Sequence, residues 1–126
     1  LPVGDYCVQY KDGYIPSVIF ERKSIGDLFS TMTHGYARFK REIEKAKEFD
    51  ITLILAIEGT YSKVANGYEH SEYDGDSMIR KLMTMFVKYN LYPVFCKDRV
   101  EMASFICEYY IAIGKYKGIK YANSNN

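Results

Sequence analysis

The spacing of apolar positions changes several times along the chain, and each change predicts a new secondary-structure element. The run at 51–57 (ITLILAI) is almost entirely apolar, which is typical of a central strand that helices cover on both faces. After Ser24, apolar residues recur every three or four positions, as on one face of a helix, and Asp27 completes a start that resembles a capping box. The residues expected on the buried faces of this helix and the next one are Ile25, Leu28, Phe29, Met32, Phe39, Ile43 and Ala46.

The same criteria predict the remaining elements. β-branched and aromatic residues fill 2–10 and 17–23, and the turn at 11–13 between them predicts a hairpin or two neighbouring strands. Polar residues and three glycines between 59 and 77 predict a long loop. The helices predicted in chain order cover 24–33, 36–49, 78–89 and 98–114, with a short strand at 92–96 and a polar, basic tail at 115–126.

This order of strands and helices predicts an α/β domain with a mixed central sheet and helices on both faces. The chain has 126 residues, of which 48% are hydrophobic, 26% are charged and only 3 are proline. Disordered, collagen-like and coiled-coil proteins differ from this composition. We therefore expect one domain over residues 1–126.

Charge and cysteine content bear on the partner and the compartment. Seventeen Lys and Arg against sixteen Asp and Glu give a net charge of +1, so a polyanion would have to bind at a local patch. Cys7, Cys96 and Cys107 lack CxxC spacing, which argues against a disulfide framework and favours a reducing, intracellular compartment. We expect these thiols to be buried small hydrophobes. No apolar run approaches the ~20 residues of a membrane span, so we expect no membrane partner.

The candidate chemistry lies near the first predicted strands. Strand alternation places Glu21 and Lys23 on one face and Arg22 on the other. If the register brings Asp5 opposite Glu21, the two carboxylates favour a shared proton or a divalent cation, and oxygen ligands suit Mg²⁺ or Mn²⁺. Such a site could hydrolyse a phosphodiester, with Lys23 positioning water or stabilising the transition state. Alternatively, Glu21 and Lys23 form a solvated pair on an edge strand and Asp5 caps a turn.

The longer pattern resembles the XPF-type family of structure-specific DNA endonucleases. That family's signature is Gly-Asp, a variable gap, Glu-Arg-Lys, three residues and Asp, and here it reads Gly4-Asp5, Glu21-Arg22-Lys23 and Asp27. The resemblance implies a restriction-endonuclease-like fold, with Asp5 and Glu21 as metal ligands and Lys23 as the catalytic lysine. Arg22 and Asp27 complete the implied catalytic set, although alternation turns Arg22 away and Asp27 equally suits a helix N-terminus.

The resemblance extends beyond the signature and also has departures. Arg38-Phe39 and Glu58-Gly59 match the family, and Glu58 either adds an acid to the metal site or simply starts the loop. Glu42 replaces a glutamine of the family. The family's earlier Asp-x-Arg-Glu strand would precede Leu1, so we expect the domain's first strand to lie upstream of this sequence. Many relatives carry a tandem helix-hairpin-helix module, which residues 1–126 do not include.

A DNA partner would require basic residues around such a site. The residues we expect to contact the DNA backbone are Arg38, Lys40, Arg41, Lys63 and Arg80. Most of the 13 tyrosines are expected to pack in the core, and a few to stack on bases. Relatives pair through the nuclease domain, which implies a homodimer or heterodimer, and the last helix carries the apolar residues Met102, Phe105, Ile106, Tyr109, Tyr110 and Ile113.

We therefore expect a metal-dependent DNA endonuclease that cuts branched or flapped DNA in repair or recombination. It would work in a DNA-containing compartment, the bacterial cytoplasm or the nucleus. A nuclease of the same fold that serves restriction would have the same motif. The alternative from another class is a catalytically inactive DNA-binding or dimerisation scaffold of this fold.

Overall fold

Three parallel strands form the sheet, and the most apolar of them lies in the middle. The computed structural model describes residues 4–118. The strands are β1 (Val18–Ser24), β2 (Thr52–Glu58) and β3 (Leu91–Cys96), in the order β1-β2-β3. Residues 53–57 of β2 are all buried, because β2 has a strand on each side and helices on each face. This confirms the central strand predicted from its apolar run.

Five helices connect and cover the strands, and four of them begin at a polar residue that caps them. The helices are α1 (Ile25–Thr33), α2 (Tyr36–Glu48), α3 (Tyr61–Ala65), α4 (Gly75–Tyr89) and α5 (Arg99–Tyr116). Each cap side chain accepts a hydrogen bond from the backbone N–H three residues further on, which satisfies a free donor of the first turn. The capping residues are Ser24, Thr60, Asp74 and Asp98.

The helices lie on both faces of the sheet, as predicted. The face that we call the front is covered by α1, α2 and α4, whose apolar residues pack on Ile19, Leu53 and Leu55. The other face, here the back, is covered by α5, which packs on Phe20 and Ile54 through Met102 and Tyr110. All seven residues predicted on the buried faces of α1 and α2 are buried.

The first predicted strand is largely absent from the described residues. Of the described residues before β1, only Tyr6 forms a bridge with it, an isolated antiparallel bridge to Phe20, so among residues 4–118 the antiparallel part of the expected mixed sheet is confined to this bridge. The chain then leaves the sheet and turns between Tyr10 and Tyr14, where the Tyr10 N–H donates to the Tyr14 carbonyl at 2.9 Å. Residues 2 and 3 lie outside the described residues.

The predicted loop at 59–77 is wrong in part, because it contains α3 and the start of α4. Val64 of α3 is fully buried. A Cβ atom at Gly75 would lie 2.2 Å from the Ala65 carbonyl oxygen, so only glycine allows these two helices to approach so closely. The amino-acid composition of a segment does not predict such a close contact between two helix backbones.

Two further expectations need correction. Only Cys96 is buried, whereas Cys7 and Cys107 are exposed. α5 continues to Tyr116, so the first residues of the predicted tail are helical, and residues 119–126 lie outside the described range.

Within residues 4–118, no helix is both long and apolar enough to cross a membrane.

Tyr110 of α5 ties this helix to the edge of the sheet. Its hydroxyl donates to the Val18 carbonyl at 2.7 Å and lies 3.2 Å from the Tyr6 carbonyl, and the Tyr10 hydroxyl donates to the Tyr110 carbonyl. Burial raises the pKa of the Tyr110 hydroxyl, which therefore stays neutral and able to donate.

We predict that Tyr110→Phe lowers the free energy of unfolding by about 1–2 kcal/mol, because the partly buried hydrogen bond from the Tyr110 hydroxyl to the Val18 carbonyl is lost. Urea denaturation followed by circular dichroism measures this change. The matched control is Tyr109→Phe, whose hydroxyl has no hydrogen bond among residues 4–118. Equal losses in the two variants would contradict the assigned role of the Tyr110 hydroxyl.

Candidate active site

The front face of β1 carries charged residues where α1 and α2 leave the sheet uncovered. Side chains alternate along the strand, so Glu21 and Lys23 follow the buried Ile19 on the front face. They line a cleft of about 550 Å³, which we call the front cleft. Arg38 of α2 and the α1–α2 turn at Gly35 line its other side.

Backbone pairing at the outer edge of β1 brings Asp5 into the front cleft. The Asp5 N–H donates to the Phe20 carbonyl at 2.8 Å, and the Asp5 carboxylate accepts the Arg22 N–H at 2.9 Å. Gly4 precedes it with a φ of +79°, and a Cβ there would lie 2.2 Å from Cγ2 of Ile19. The close approach of this segment to β1 therefore requires glycine at position 4.

Glu21 and Lys23 form an ion pair that is largely shielded from solvent. Nζ of Lys23 lies 3.2 Å from Oε2 of Glu21. The Lys23 side chain is 18% exposed and the Glu21 side chain 13%. Burial raises the pKa of Glu21, the Lys23 charge opposes this effect, and the Asp5 and Glu42 charges add to it. The front cleft thus holds three acids, and the charges of Asp5 and Glu42 disfavour the ionised form of Glu21.

The raised pKa of Glu21 has a consequence for stability. Because the folded state holds this proton more tightly than the unfolded chain, folding is favoured most when Glu21 is protonated. That stability is lost as the pH rises through the raised pKa. Ionised Glu21 therefore costs the fold some stability at neutral pH, as is common for groups arranged for binding.

Arg22 and Glu58 lie on the back face, on the opposite side of the sheet from Glu21. Nη2 of Arg22 lies 2.7 Å from Oε2 of Glu58, and Nε of Arg99 lies 3.6 Å from Oε1 of the same carboxylate. The hydrogen bond with Glu58 raises the pKa of Arg22, which stays charged. Strand alternation had turned Arg22 away from Glu21, and the structure agrees.

The expectation that Glu58 adds an acid to the metal site is corrected by this arrangement. Glu58 has the same parity along β2 as Ile54 and Ala56, which pack on the back face. Its carboxylate is engaged by Arg22 and Arg99. A pattern of residues along β2 alone did not reveal which face Glu58 would occupy relative to Asp5.

Other predicted site residues lie outside the front cleft. Asp27 and Lys63 line a separate cleft at the carboxyl ends of β1 and β2, together with Glu58. Asp27 is exposed in the first turn of α1, where its N–H donates to the Ser24 hydroxyl at 3.1 Å. This position suits an acid near a helix N-terminus.

The basic residues predicted to contact DNA are also divided. All three of Arg38, Lys40 and Arg41 lie on α2, but only Arg38 is among the residues that line the front cleft. Arg80 lies near the start of its own helix, 3.8 Å from Asp74 and 3.3 Å from the Ser77 hydroxyl. The structure does not bring Arg80 to the cleft.

Sequence reasoning gave Glu42 no part in the site, although it lines the front cleft. Its spacing of four residues from Arg38 was the available signal, because residues i and i+4 share a helix face. Arg99 had no such signal, since its contact with Glu58 depends on how α5 packs against the sheet.

The donor set of the front cleft fits a hard divalent cation. The carboxylates of Asp5, Glu21 and Glu42 line it, although no group of three or more His, Cys, Asp or Glu residues suited to a metal occurs in residues 4–118. Mg²⁺ is commonly held by one or two carboxylates together with waters and substrate phosphates. The Asp5 oxygen that accepts the Arg22 N–H leaves the second oxygen for a ligand.

We predict that Asp5→Asn lowers the pKa of Glu21, because the Asp5 charge is one of the causes that raise it. Carboxyl-carbon NMR titration of the metal-free protein measures this pKa. Asp12→Asn, which removes the same charge from an exposed turn, serves as the control and should leave the Glu21 titration unchanged. An unchanged Glu21 pKa in Asp5→Asn would show that the two carboxylates do not interact.

Comparisons with known proteins find a matching family and a matching fold. Residues 1–109 match the ERCC4 domain. The structure is similar to that of XPF from Aeropyrum pernix, with a TM-score of 0.51, 18% sequence identity, and coverage of 82% of this chain and 56% of that one. The chain thus spans just over half the length of that structure, and the likeness shows a common fold.

None of the curated proteins gave a match. The family match and the structural match confirm the restriction-endonuclease-like fold that the motif predicted. ERCC4 domains are nuclease domains of DNA repair. Because the match covers most of its length, this chain belongs to the ERCC4 domain family, as an XPF-type nuclease domain.

Proposed function

We propose that this domain is a divalent-metal-dependent DNA endonuclease that hydrolyses phosphodiesters in the front cleft. The observation that carries the proposal is the convergence of Asp5, Glu21 and Lys23 in one cleft. Asp5 reaches it by edge pairing, and the other two by strand alternation. The proposed substrate is branched or flapped DNA in repair or recombination. The proposed compartment is the bacterial cytoplasm or the nucleus.

Asp5 and Glu21 would hold the Mg²⁺ or Mn²⁺ ion of such an enzyme. When bound, a divalent ion neutralises charge on the phosphate and lowers the pKa of a bound water. Both carboxylates are suited to bind a cation before it arrives. The Arg22 N–H orients the Asp5 carboxylate, and the charge of Lys23 favours the ionised form of Glu21. Preorganised ligands need not reorient during the reaction.

Lys23 is suited to act on the reacting phosphate. Its ammonium group lies 3.2 Å from the Glu21 carboxylate and lines the same cleft. There it can orient the attacking water or stabilise the negative charge that develops on the phosphate. Arg38, across the cleft, is placed to hold a neighbouring phosphate, and Lys40 and Arg41 extend the basic surface of α2.

The second candidate function is a catalytically inactive scaffold that binds DNA or pairs with another subunit. The observation that favours it is the apolar exposed surface of α5, where Val100 is 79% exposed, Ile111 39% and Phe105 38%. Such a surface suits a homodimer or a heterodimer. A nuclease can use the same surface to pair, so metal binding and cleavage distinguish the two functions.

We predict Mn²⁺-dependent cleavage of flapped, branched or single-stranded DNA, and a loss of at least about 100-fold in rate for Asp5→Ala and Lys23→Ala. Labelled substrates separated on denaturing gels measure the rate. Asp12→Ala and Lys11→Ala remove equal charges from an exposed turn and should cleave normally. Cleavage unaffected by Asp5→Ala or Lys23→Ala would contradict the proposed mechanism, and the absence of both Mn²⁺ binding and cleavage would favour the scaffold.

We also predict that Gly4→Ala weakens Mn²⁺ binding about 10- to 100-fold, the usual cost of disturbing groups that orient metal ligands. The new Cβ would overlap Ile19 and displace Asp5. Isothermal titration calorimetry measures the affinity, and thermal melting verifies folding.

Gly13→Ala is the matched control for this experiment. Gly13 also has a positive φ, of +92°, but a Cβ there would meet nothing within 4 Å. Both variants therefore share the backbone strain, and only Gly4→Ala has the clash. Equal Mn²⁺ affinities in the two variants would rule out the proposed role of Gly4.

A further inference from the structure

A second cleft opens on the back face of β1, and the proposed reaction does not use it. We call it the back cleft. Tyr6 and Arg22 form one side, and α5 forms the other through Arg99, Met102 and Ile106. Its volume of about 440 Å³ lies within the ~300–1,000 Å³ range of small-molecule sites.

The Tyr6 ring is exposed on a backbone that is held in place. The Tyr6 N–H donates to the Phe20 carbonyl at 3.0 Å, and the Tyr6 carbonyl accepts the Phe20 N–H at 2.9 Å. The ring nevertheless remains 44% exposed, beside the buried side chain of Met102. An exposed aromatic ring on a hydrogen-bonded backbone, next to an apolar floor, is a platform on which a nucleobase can stack.

The arginines at the rim of the back cleft supply positive charge. Glu58 contacts both Arg22 and Arg99, so one carboxylate orients two guanidinium groups and leaves a net charge of +1. The Arg99 side chain is 78% exposed and keeps donors directed to solvent. A phosphate at this rim would complement that charge.

The back cleft lies next to the front cleft, across a single strand. Asp5 lines the front cleft and Tyr6 the back one, and Arg22 lies between Glu21 and Lys23 along β1. Because Asp5 and Tyr6 are consecutive residues, the two clefts lie close together, and one nucleic-acid strand could contact both. A base inside a duplex is stacked on its neighbours and cannot enter such a cleft without leaving the helix.

We propose that the back cleft binds an unpaired nucleotide adjacent to the phosphodiester that is cut. The base stacks on Tyr6 over the Met102 and Ile106 side chains, and the phosphate contacts Arg99. This inference rests on the proposed function and adds to it that the substrate is unpaired beside the cleavage position.

The probe is a single-stranded oligonucleotide containing the fluorescent base 2-aminopurine, with EDTA present to prevent cleavage. Wild-type protein should quench this fluorescence, because the base stacks on Tyr6. Tyr6→Ala should weaken binding about 5-fold or more, and Tyr6→Phe should restore it. The matched control is Tyr92→Ala, since Tyr92 is similarly exposed, at 40%, but lies on β3.

Arg99 provides a second and independent readout. Arg99→Ala should reduce the dependence of log affinity on log salt by about 0.7, the value for one phosphate contact to a single strand. Lys115→Ala removes the same charge from the last turn of α5, about 24 Å away at 1.5 Å per residue, and should leave the slope unchanged. A loss of folding would not produce this selective change of slope.

Three outcomes would overturn the inference. Equal weakening by Tyr6→Ala and Tyr92→Ala, or equal binding of single strand and matched duplex, would show that no unpaired base enters the back cleft. A change in mass by analytical ultracentrifugation in Tyr6→Ala, with DNA binding intact, would make the back cleft a protein interface. Failure of the proposed function itself looks different, because Mn²⁺ binding at Asp5 and Glu21 would then also be absent.

Discussion

The candidate active site depends on how the outer edge of β1 satisfies its backbone hydrogen bonds. No full strand pairs with this edge among the described residues, and a single bridge at Tyr6 takes its place. Beyond the bridge, the Asp5 carboxylate accepts the Arg22 N–H, which would otherwise lack a partner at the edge. One hydrogen bond therefore completes the strand edge and also positions a carboxylate beside Glu21.

Strand parity then distributes the charges of the motif between two faces. Glu21 and Lys23 share the front cleft with Asp5, whereas Arg22 pairs with Glu58 on the back face. The sheet separates these two groups, so the back-face ion pair neither neutralises Lys23 nor competes for the two acids. The motif thus describes one strand that contributes charged groups to two clefts.

The stability of the site is supported by the rest of the fold. Ionised Glu21 is unfavourable where it is buried beside another acid. The apolar layers on both faces of the sheet and the capped helices supply the compensating free energy. Gly4 and Tyr110 belong to the same support, because each fixes the segment that carries Asp5 and Tyr6.

The sequence by itself determined the elements with strong periodicity, the helix starts at Ser24 and Asp98 and the faces of β1, because these depend on local spacing. The motif also predicted Asp5, Glu21 and Lys23 as site residues, and the comparisons confirm the family and the fold that it indicated. Only the tertiary structure decided that Glu58 faces Arg22, that α3 interrupts the loop, and that Asp27 lies outside the front cleft. The physical reason is that periodicity describes one element at a time, whereas these contacts depend on the register and packing between elements distant in sequence.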